Sequence, residues 1–229
     1  MTKVELVTKT QGVDRYMCLH ADEIVEAVAR HGKIKDTGKL IRYLIKHKHW
    51  SPLEHVHYSF RIETARDISA QMIRHRSFHW QELSQRYDVI QEFMPIELRE
   101  QGKTNRQVGE AVIGVIDLDP DKRERWRSDE DFLEAFLNAH RALALAKEAY
   151  DGLLKVGVAR ECARRILPIC AKTVVHMTGN LRDFLGYLNV RCEGGTQKEH
   201  REIAMGIGEI LEQEFPVLKD MDWKNGGFM

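Results

Sequence analysis

The sequence predicts a single α+β domain over residues 1–229, with few strands and with helices on its outside. Three observations support this prediction. Apolar residues recur at helical spacing in several segments, two short segments have the composition of strands, and no repeat or Pro-rich linker divides the chain. A chain of 229 residues buries roughly 70–75% of the surface that it exposes when unfolded. It can therefore hold a full core without disulfides.

The predicted helices are segments in which apolar residues return every three or four positions. Two of them have candidate N-terminal caps. Ser128 stands three residues before Asp131 at the start of a long helix, and Asn180 comes directly before an apolar run. The predicted segments are 21–31, 36–47, a long helix from 128 to near Gly157, 180–191 and 196–215.

Two segments are predicted to be strands. Residues 55–62 alternate strictly between apolar and polar side chains, which is the period of a half-buried strand. Residues 172–178 are rich in β-branched side chains. After the first strand, Thr64 and Asp67 resemble a capping box, which predicts a helix that begins there and runs into residues 74–76.

Residues 91–127 show the weakest pattern in the chain. They mix glycines, prolines and many charged side chains, and only AVIGVI at 111–116 has the composition of a strand. We therefore expect a long excursion from the domain that contains at most one short strand.

Charge and composition argue against several kinds of partner. Thirty-five Lys and Arg residues balance 35 Asp and Glu residues, so the chain has no overall attraction for nucleic acids or anionic membranes. No apolar run approaches the roughly 18 residues that a membrane span needs, and no signal peptide is visible. We expect a cytoplasmic protein with no membrane or nucleic-acid partner. The cysteines are scattered without a C-x-x-C pair, which favours free thiols: Cys18, Cys162, Cys170 and Cys192.

Residues 74–87, RHRSFHWQELSQRY, form the densest polar segment of the chain. A guanidinium group presents a planar fork of donors that suits phosphate groups and the carbonyl and imide edges of pyrimidine or flavin rings. Further arginines stand near the ends of predicted elements, at Arg164, Arg182 and Arg191. The segment therefore predicts a site for an anionic ligand. The alternative is a solvated helix end whose arginines pair with nearby carboxylates.

This segment resembles the signature of the flavin-dependent thymidylate synthases, in which Arg-His-Arg at 74–76 is followed after seven residues by Ser84. Residues 49–55 resemble a flavin-contacting stretch of that family. Residues 163–168 resemble its arginine turn for the nucleotide, and residues 180–191 resemble its second flavin and nucleotide helix. The resemblance implies a small, mostly antiparallel, twisted sheet flanked by helices.

The resemblance also implies the activity. The protein would methylate dUMP to dTMP, with methylene-tetrahydrofolate as the carbon donor and with FAD, reduced by NADPH, as the hydride carrier. No G-x-G-x-x-G motif follows a strand, so a Rossmann unit is not expected to hold FAD or NADPH. Members of the family are homotetramers whose active sites are shared between subunits, and we expect the same assembly here.

Site residues follow from the resemblance position by position. The positions that match flavin or other cofactor contacts are His49, Ser51, Glu54, Arg74, His75, Arg76, Glu82, Asn180, Arg182 and Gly186. His49 is assigned to folate or nicotinamide. The positions that match nucleotide contacts are Gln71, Arg74, Glu82, Leu83, Ser84, Gln85, Arg86, Arg164 and Arg191.

Arg191 is the residue that the resemblance identifies as catalytic. A fixed guanidinium beside the uracil imide favours its deprotonated form and so makes ring carbon 5 more nucleophilic. Two positions depart from the family pattern. Gly186 stands where an asparagine usually contacts the flavin, and Gln85 stands where a glycine is common.

Other interpretations of these residues stay open. Ser84 is a candidate nucleophile, although no triad order or G-x-S-x-G elbow accompanies it. Cys170 is a candidate catalytic thiol. The residues otherwise point to a nucleotide donor at Ser84 and a buried thiol at Cys170.

A second class of function is a metal-dependent hydrolase that acts on a nucleotide. His75 and His79 are four apart on a predicted helix, and His55 and His57 share one face of a predicted strand. Both spacings can bind zinc or iron. A regulatory nucleic-acid binder is a third interpretation, which the zero net charge disfavours.

Overall fold

The computed structural model describes residues 2–17, 19–105, 107–119, 130–226 and 229. Within these residues the chain forms six strands and seven α-helices, which confirms the α+β class. The strands are β1 (Lys3–Lys9), β2 (His57–Ala65), β3 (His79–Glu82), β4 (Ile96–Gln101), β5 (Gly109–Ile116) and β6 (Lys172–Asn180). The helices are α1 (Ala21–Ala29), α2 (Thr37–Lys46), α3 (Arg66–Met72), α4 (Glu130–Lys155), α5 (Arg160–Ala163), α6 (Leu181–Arg191) and α7 (Lys198–Glu214).

The chain folds into two compact units, each built from separate stretches of sequence. The first unit contains Glu63–Gln71 and Glu82–Val174, and the second contains Thr2–Ile62, Met72–Gln81 and Val175–Met229. The four-stranded sheet, in the order β1-β2-β6-β3, draws most of its residues from the second unit. The β4–β5 pair belongs to the first unit.

The core of the second unit is aromatic. In β2, Tyr58, Phe60 and Ile62 are buried while His57 is exposed, so the predicted strand is confirmed. It begins at His57 rather than at position 55, and Ser59 of the predicted polar face is also buried. The ring of Phe184 lies 5.2 Å from that of Phe60 and 4.9 Å from that of Phe78, centroid to centroid. These edge-to-face pairs pack α6 against the sheet.

The two C-terminal helices begin and pack as their sequences suggest. Asn180 caps α6, because its side-chain oxygen accepts a hydrogen bond from the backbone N–H of Asp183 at 3.0 Å. In α7, Ile203, Ile207 and other apolar residues are buried.

The first unit contains an antiparallel hairpin in the stretch where the sequence predicts only one strand. Its register runs from Ile96 opposite Ile116 to Gln101 opposite Gly109, with two irregularities between. The strand at 111–116 is confirmed as part of β5, whereas β4 was not predicted. The apolar core of this unit includes Ile90, Tyr150, Ala163 and Ala171.

The predicted cap at Thr64 is wrong. β2 continues to Ala65, and Thr64 is a buried strand residue. Instead, the backbone N–H groups of Arg66 and Asp67 donate to the carbonyls of Ala171 and Ile169, each at 3.1 Å. These bonds satisfy the first donors of α3, which ends before the Arg-His-Arg segment rather than running into it.

Some predictions fall on other parts of the chain. Ser128, Cys18 and residues 120–127 lie outside the described residues. Strand β1 was not predicted.

Cys162, Cys170 and Cys192 are free, the first exposed and the other two buried. None of the helices that the structure describes is both long enough and apolar enough to cross a membrane.

Candidate active site

The Arg-His-Arg segment forms a turn after α3, with its arginines outward. Arg74 and Arg76 are exposed and His75 is half-buried. The backbone of His75 is tied on both sides, because its N–H donates to the carbonyl of Met72 at 3.0 Å and its carbonyl accepts from the indole N–H of Trp80 at 3.2 Å. No salt bridge within the described residues engages Arg74 or Arg76. Their guanidinium groups are thus placed to receive an anion.

The half-buried His75 holds Arg191, the last residue of α6. The Nε of Arg191 donates to Nε2 of His75 at 2.8 Å. Burial, and next the charge of Arg191, lower the pKa of His75 to about 4. At neutral pH the imidazole is therefore uncharged, and Nε2 carries the lone pair that accepts this bond. The predicted catalytic arginine is thereby fixed to the Arg-His-Arg segment, which is predicted to contact the flavin.

A second group of predicted flavin contacts lies around the start of α6. Arg182 forms an ion pair with Glu54, and its guanidinium carbon lies 5.8 Å from the centroid of the Trp50 ring. Ser51 is exposed at the start of the short 3₁₀ helix Ser51–His55, which packs against α6. The side-chain oxygen of Asn180 is occupied as a helix cap, so its amide nitrogen is the group that it can offer to a ligand.

Gly186 lies in the middle of α6, between Arg182 near the start of the helix and Arg191 at its end. A Cβ built on this glycine would meet no atom within 4 Å. The departure from the family's asparagine therefore leaves space beside the helix. His49, in contrast, is exposed, and its ring lies 6.0 Å from that of Tyr43 and 6.2 Å from that of His47.

In the first unit, Glu82 is held by three protein groups. Its Oε1 accepts from the hydroxyl of Ser69 at 2.7 Å and from that of Thr173 at 3.1 Å, and its Oε2 pairs with Arg66. Sequence reasoning missed Arg66, Ser69 and Thr173. Arg66 and Ser69 lie on α3, the helix between β2 and the signature, so their position beside the signature was the available signal.

A cleft of about 380 Å³ in the first unit is lined by Arg86, Tyr87, Ala159, Arg160 and Glu161. The Nε of Arg86 lies 3.5 Å from an oxygen of Glu161, and Arg160 binds the carbonyl of Tyr87. Arg86 was predicted to bind the nucleotide, whereas Arg160 was missed. It precedes Arg164 in the same arginine-rich turn, which was the available signal.

The remaining predicted nucleotide contacts also lie in the first unit. Ser84 begins the turn that carries Arg86, and its hydroxyl oxygen accepts from the backbone N–H of Arg86 at 3.4 Å. Leu83 packs against the apolar core, and its backbone N–H donates to the carbonyl of Val174 at 2.8 Å. Gln71, Gln85 and Arg164 are each partly buried.

The predicted contacts divide between the two units. Except for Glu82, every predicted cofactor contact belongs to the second unit. Except for Arg74 and Arg191, every predicted nucleotide contact belongs to the first.

The histidine geometry proposed for a metal differs from that in the structure. His75 and His79 do not share a helix, since α3 ends at Met72 and His79 begins β3. His55 ends a 3₁₀ helix and His57 begins β2, so they do not share a strand face. Among the described residues, no group of three or more His, Cys, Asp or Glu side chains is arranged to hold a metal ion.

Comparison with known proteins matches most of the chain to a known family. The model of the family described as thymidylate synthase complementing protein matches residues 5–217. The chain belongs to this family of flavin-dependent thymidylate synthases. The matched region contains all the predicted site residues.

Two relatives illustrate the similarity. The chain is 38% identical over 191 residues to a probable flavin-dependent thymidylate synthase of Paramecium bursaria Chlorella virus 1, a match that covers 82% of each chain. It is 36% identical over 187 residues to a flavin-dependent thymidylate synthase of Synechocystis sp., and this match covers 81% of the present chain and 80% of the relative.

Solved structures give the same picture. A UMP/dUMP methylase, PolB, from Streptomyces cacaoi bound with 5-Br UMP superposes with a TM-score of 0.75 at 27% identity, covering 96% of this chain and 92% of that one. The same enzyme bound with 5-Br dUMP gives a TM-score of 0.72 at 27% identity, covering 96% and 94%.

Proposed function

We propose that this protein methylates dUMP to dTMP in thymidylate biosynthesis, with methylene-tetrahydrofolate as the carbon donor and with NADPH-reduced FAD as the hydride carrier. The observation that carries this proposal is the family match over residues 5–217. It spans the Arg-His-Arg signature, the Arg86 cleft and Arg191. The relatives that are 38% and 36% identical to the chain are a probable flavin-dependent thymidylate synthase and a flavin-dependent thymidylate synthase.

The residues of the second unit fit FAD. The cofactor combines a diphosphate with flat aromatic rings, and it needs cationic donors and open space. Arg74 and Arg76 are exposed, Asn180 can offer its amide nitrogen, and the helix face at Gly186 is open. These residues, with Ser51 and the others predicted for the cofactor, would hold it.

To add a methyl group to dUMP, the reaction needs one carbon atom and a hydride, which carries two electrons. A methylene group becomes a methyl group when it receives a hydride, and FAD supplies that hydride when it is bound and reduced. The folate then gives up only its methylene carbon. It leaves as tetrahydrofolate, because it is not the electron donor.

The protein's own contribution is to bind and to polarise the nucleotide. Arg191 is fixed through its Nε to His75, so its terminal nitrogens have a defined position. A guanidinium placed beside the uracil imide stabilises negative charge that develops on the ring and so favours attack from ring carbon 5. Arg86 and Arg160 line the cleft that we assign to the nucleotide's phosphate.

The metal-dependent hydrolase is not supported. Its two histidine pairs do not have the geometry that the proposal required, and the relatives have a different activity. We therefore retain a single function.

We also propose that the protein is a homotetramer in which each active site is shared between subunits. The long helix α4 supports the association of subunits, because only Phe136 and Tyr150 are fully buried along it while Leu145 is 62% exposed. Apolar side chains left in water on a long helix favour contact with another subunit. The sharing of active sites rests on the family resemblance. We place the activity in the cytoplasm, where nucleotide, folate and NADPH are available.

The test is an assay of dTMP formation from dUMP with each of FAD, NADPH and methylene-tetrahydrofolate omitted in turn. Every omission should abolish product. Arg191→Ala should keep bound flavin but lower turnover by about 100-fold or more, and Arg191→Lys should recover little because a point charge cannot replace a planar fork. UMP is assayed in parallel. Flavin-loaded protein that methylates UMP but not dUMP, or neither, would contradict the proposal.

A further inference from the structure

Tyr187 and His200 form a buried hydrogen-bonded pair that the proposed reaction does not use. Tyr187 on α6 is 1% exposed and His200 on α7 is 0% exposed. The Tyr187 hydroxyl lies 3.0 Å from Nε2 of His200. Burying polar side chains is costly unless they form hydrogen bonds, as Tyr187 and His200 do with each other. A buried polar pair of this kind makes the local packing rigid and specific, which indicates a role for it.

Both side chains pack against His75. The centroid of the Tyr187 ring lies 5.0 Å from that of the His75 ring, with an interplanar angle of 76°. The centroid of the His200 ring lies 6.1 Å from that of the His75 ring, with an interplanar angle of 90°. Tyr187 is also four residues before Arg191, so the two side chains project from the same face of α6. The imidazole of His75 is thus in ring contact with residues of two helices, α6 and α7, besides accepting the Arg191 bond.

We propose that Tyr187 and His200 are positioning residues, which hold the His75 ring in the orientation that fixes Arg191 against the nucleotide. The inference rests on the proposed function. His75 lies in a turn, where no helix or strand sets its side-chain direction, and Arg191 has a long side chain with many rotamers. The hydrogen bond between α6 and α7 fixes the Tyr187 ring, and that ring in turn fixes the imidazole.

The cluster works only if both histidines are neutral. Burial is the main cause that lowers the pKa of His200 to about 3, followed by the charge of Arg191 and by the neighbouring His75 ring. A protonated His75 would lose the acceptor at Nε2 and would repel the guanidinium. The ionisable groups that face His75 are Arg191 and Tyr187 from α6 and His200 from α7, so Arg191 carries the single positive charge of the cluster.

The first test removes one atom. Tyr187→Phe should lower kcat for dTMP formation by about 10-fold to 100-fold, because small misplacements of a catalytic group cost rates of this order, while the KM for dUMP changes less. Tyr150→Phe is the matched control, since Tyr150 is a buried tyrosine of the first unit whose hydroxyl accepts one backbone hydrogen bond at 3.2 Å. It should keep its kcat. In the Arg191→Ala background, Tyr187→Phe should cause no further loss, because it acts through Arg191.

The second test does not depend on activity. In protein with isotope-labelled histidines, NMR titration should show His75 neutral down to about pH 4. Tyr187→Phe should raise that midpoint, because Arg191 no longer lies against the ring. His200→Gln, which can keep the hydrogen bond to Tyr187, should behave more nearly like wild type. If Tyr187→Phe does not fold, His200→Phe replaces it, because it removes the same hydrogen bond from the α7 side and should likewise lower kcat and raise the His75 midpoint.

Two results would overturn the inference. One is a Tyr187→Phe protein with unchanged kcat and unchanged His75 titration. The other is an equal loss of kcat with and without Arg191, which would mean a merely structural role. Wild-type protein that forms no dTMP would instead refute the proposed function, and the histidine titration would still decide whether Tyr187 and His200 position His75.

Discussion

The guanidinium of Arg191 and the imidazole of His75 are joined by a 2.8 Å hydrogen bond although 116 positions separate them in the chain. Arg191 ends α6 and His75 lies in a turn, so the bond ties the Arg-His-Arg signature to a helix that is distant in sequence. Because His75 must be neutral to accept it, the geometry of the predicted catalytic arginine depends on a protonation state. This dependence leads to the first prediction.

Acid should destabilise the protein through His75 and His200. Their folded pKa values, about 4 and about 3, lie below the ordinary value of 6.5. Between pH 6.5 and these values the unfolded chain binds more protons, so the free energy of unfolding falls as the pH falls. Urea unfolding at pH 7.5 and pH 5 should show this loss. The double variant His75→Gln/His200→Gln should depend less on pH, and an unchanged dependence would refute the assignment.

Gly186→Asn should tighten FAD binding. The open space at this position can accept the side chain, and asparagine costs less than glycine in a helix by a few tenths of a kcal/mol. Gly152→Asn is the matched control, because a Cβ on Gly152 of α4 also meets no atom within 4 Å. Flavin titration followed by fluorescence should show tighter binding only for Gly186→Asn. Equal affinity in both variants would mean that position 186 does not face the cofactor.

Cys170→Ala should retain dTMP formation. Burial raises the pKa of the Cys170 thiol, so at neutral pH it is protonated and a poor nucleophile. The proposed route also needs no enzyme thiol. Cys162→Ala, at an exposed cysteine, serves as the comparison. Loss of activity in the Cys170 variant alone, with FAD and dUMP still bound, would show that a thiol takes part.

Two inactive variants should restore partial activity when their subunits mix. Arg191 bonds to His75 of its own chain, next to Arg76, so complementation requires the exposed Arg76 side chain to reach the active site of another subunit. In that arrangement Arg191→Ala and Arg76→Ala each supply the residue that the other lacks. Coexpression, isolation of the mixed oligomer and a dTMP assay test this expectation. Coexpressed Arg191→Ala and Arg191→Lys is the control and should stay inactive. A first mixture as inactive as the control, in a protein shown to exchange subunits, would place both residues in a site built by one chain.

Much of the fold could be predicted because its elements carry strong local patterns. The alternation from Val56 to Ile62 gave β2, and the N-cap at Asn180 marked α6. The cap predicted at Thr64 is wrong although Thr64 and Asp67 have the spacing of a capping box. The first backbone N–H groups of α3 instead donate to the carbonyls of Ala171 and Ile169. These carbonyls are distant in sequence, so no local pattern could reveal them. Strand β4 was not predicted because its charged residues leave no clear alternation of apolar and polar side chains. It forms by pairing with β5, which a local pattern does not show.

The candidate site shows the same limit. The signature predicts which residues bind ligands, since arginines and the family pattern can be recognised locally. It could not indicate which side chains hold them. The partners of Glu82, and the packing of Tyr187 against His75, arise only when distant segments fold together. The positions that support a site are therefore less predictable from sequence than those that contact its ligands.

The source of the electrons is tested most directly by a single turnover without NADPH. Enzyme whose FAD has been reduced is mixed anaerobically with dUMP and methylene-tetrahydrofolate, and flavin oxidation, dTMP and the folate product are measured together. If reduced FAD supplies the hydride, one flavin is oxidised for each dTMP formed and the folate is recovered as tetrahydrofolate. Formation of dTMP with dihydrofolate, while the flavin stays reduced, would show that the folate is the electron donor and would contradict flavin-dependent methylation.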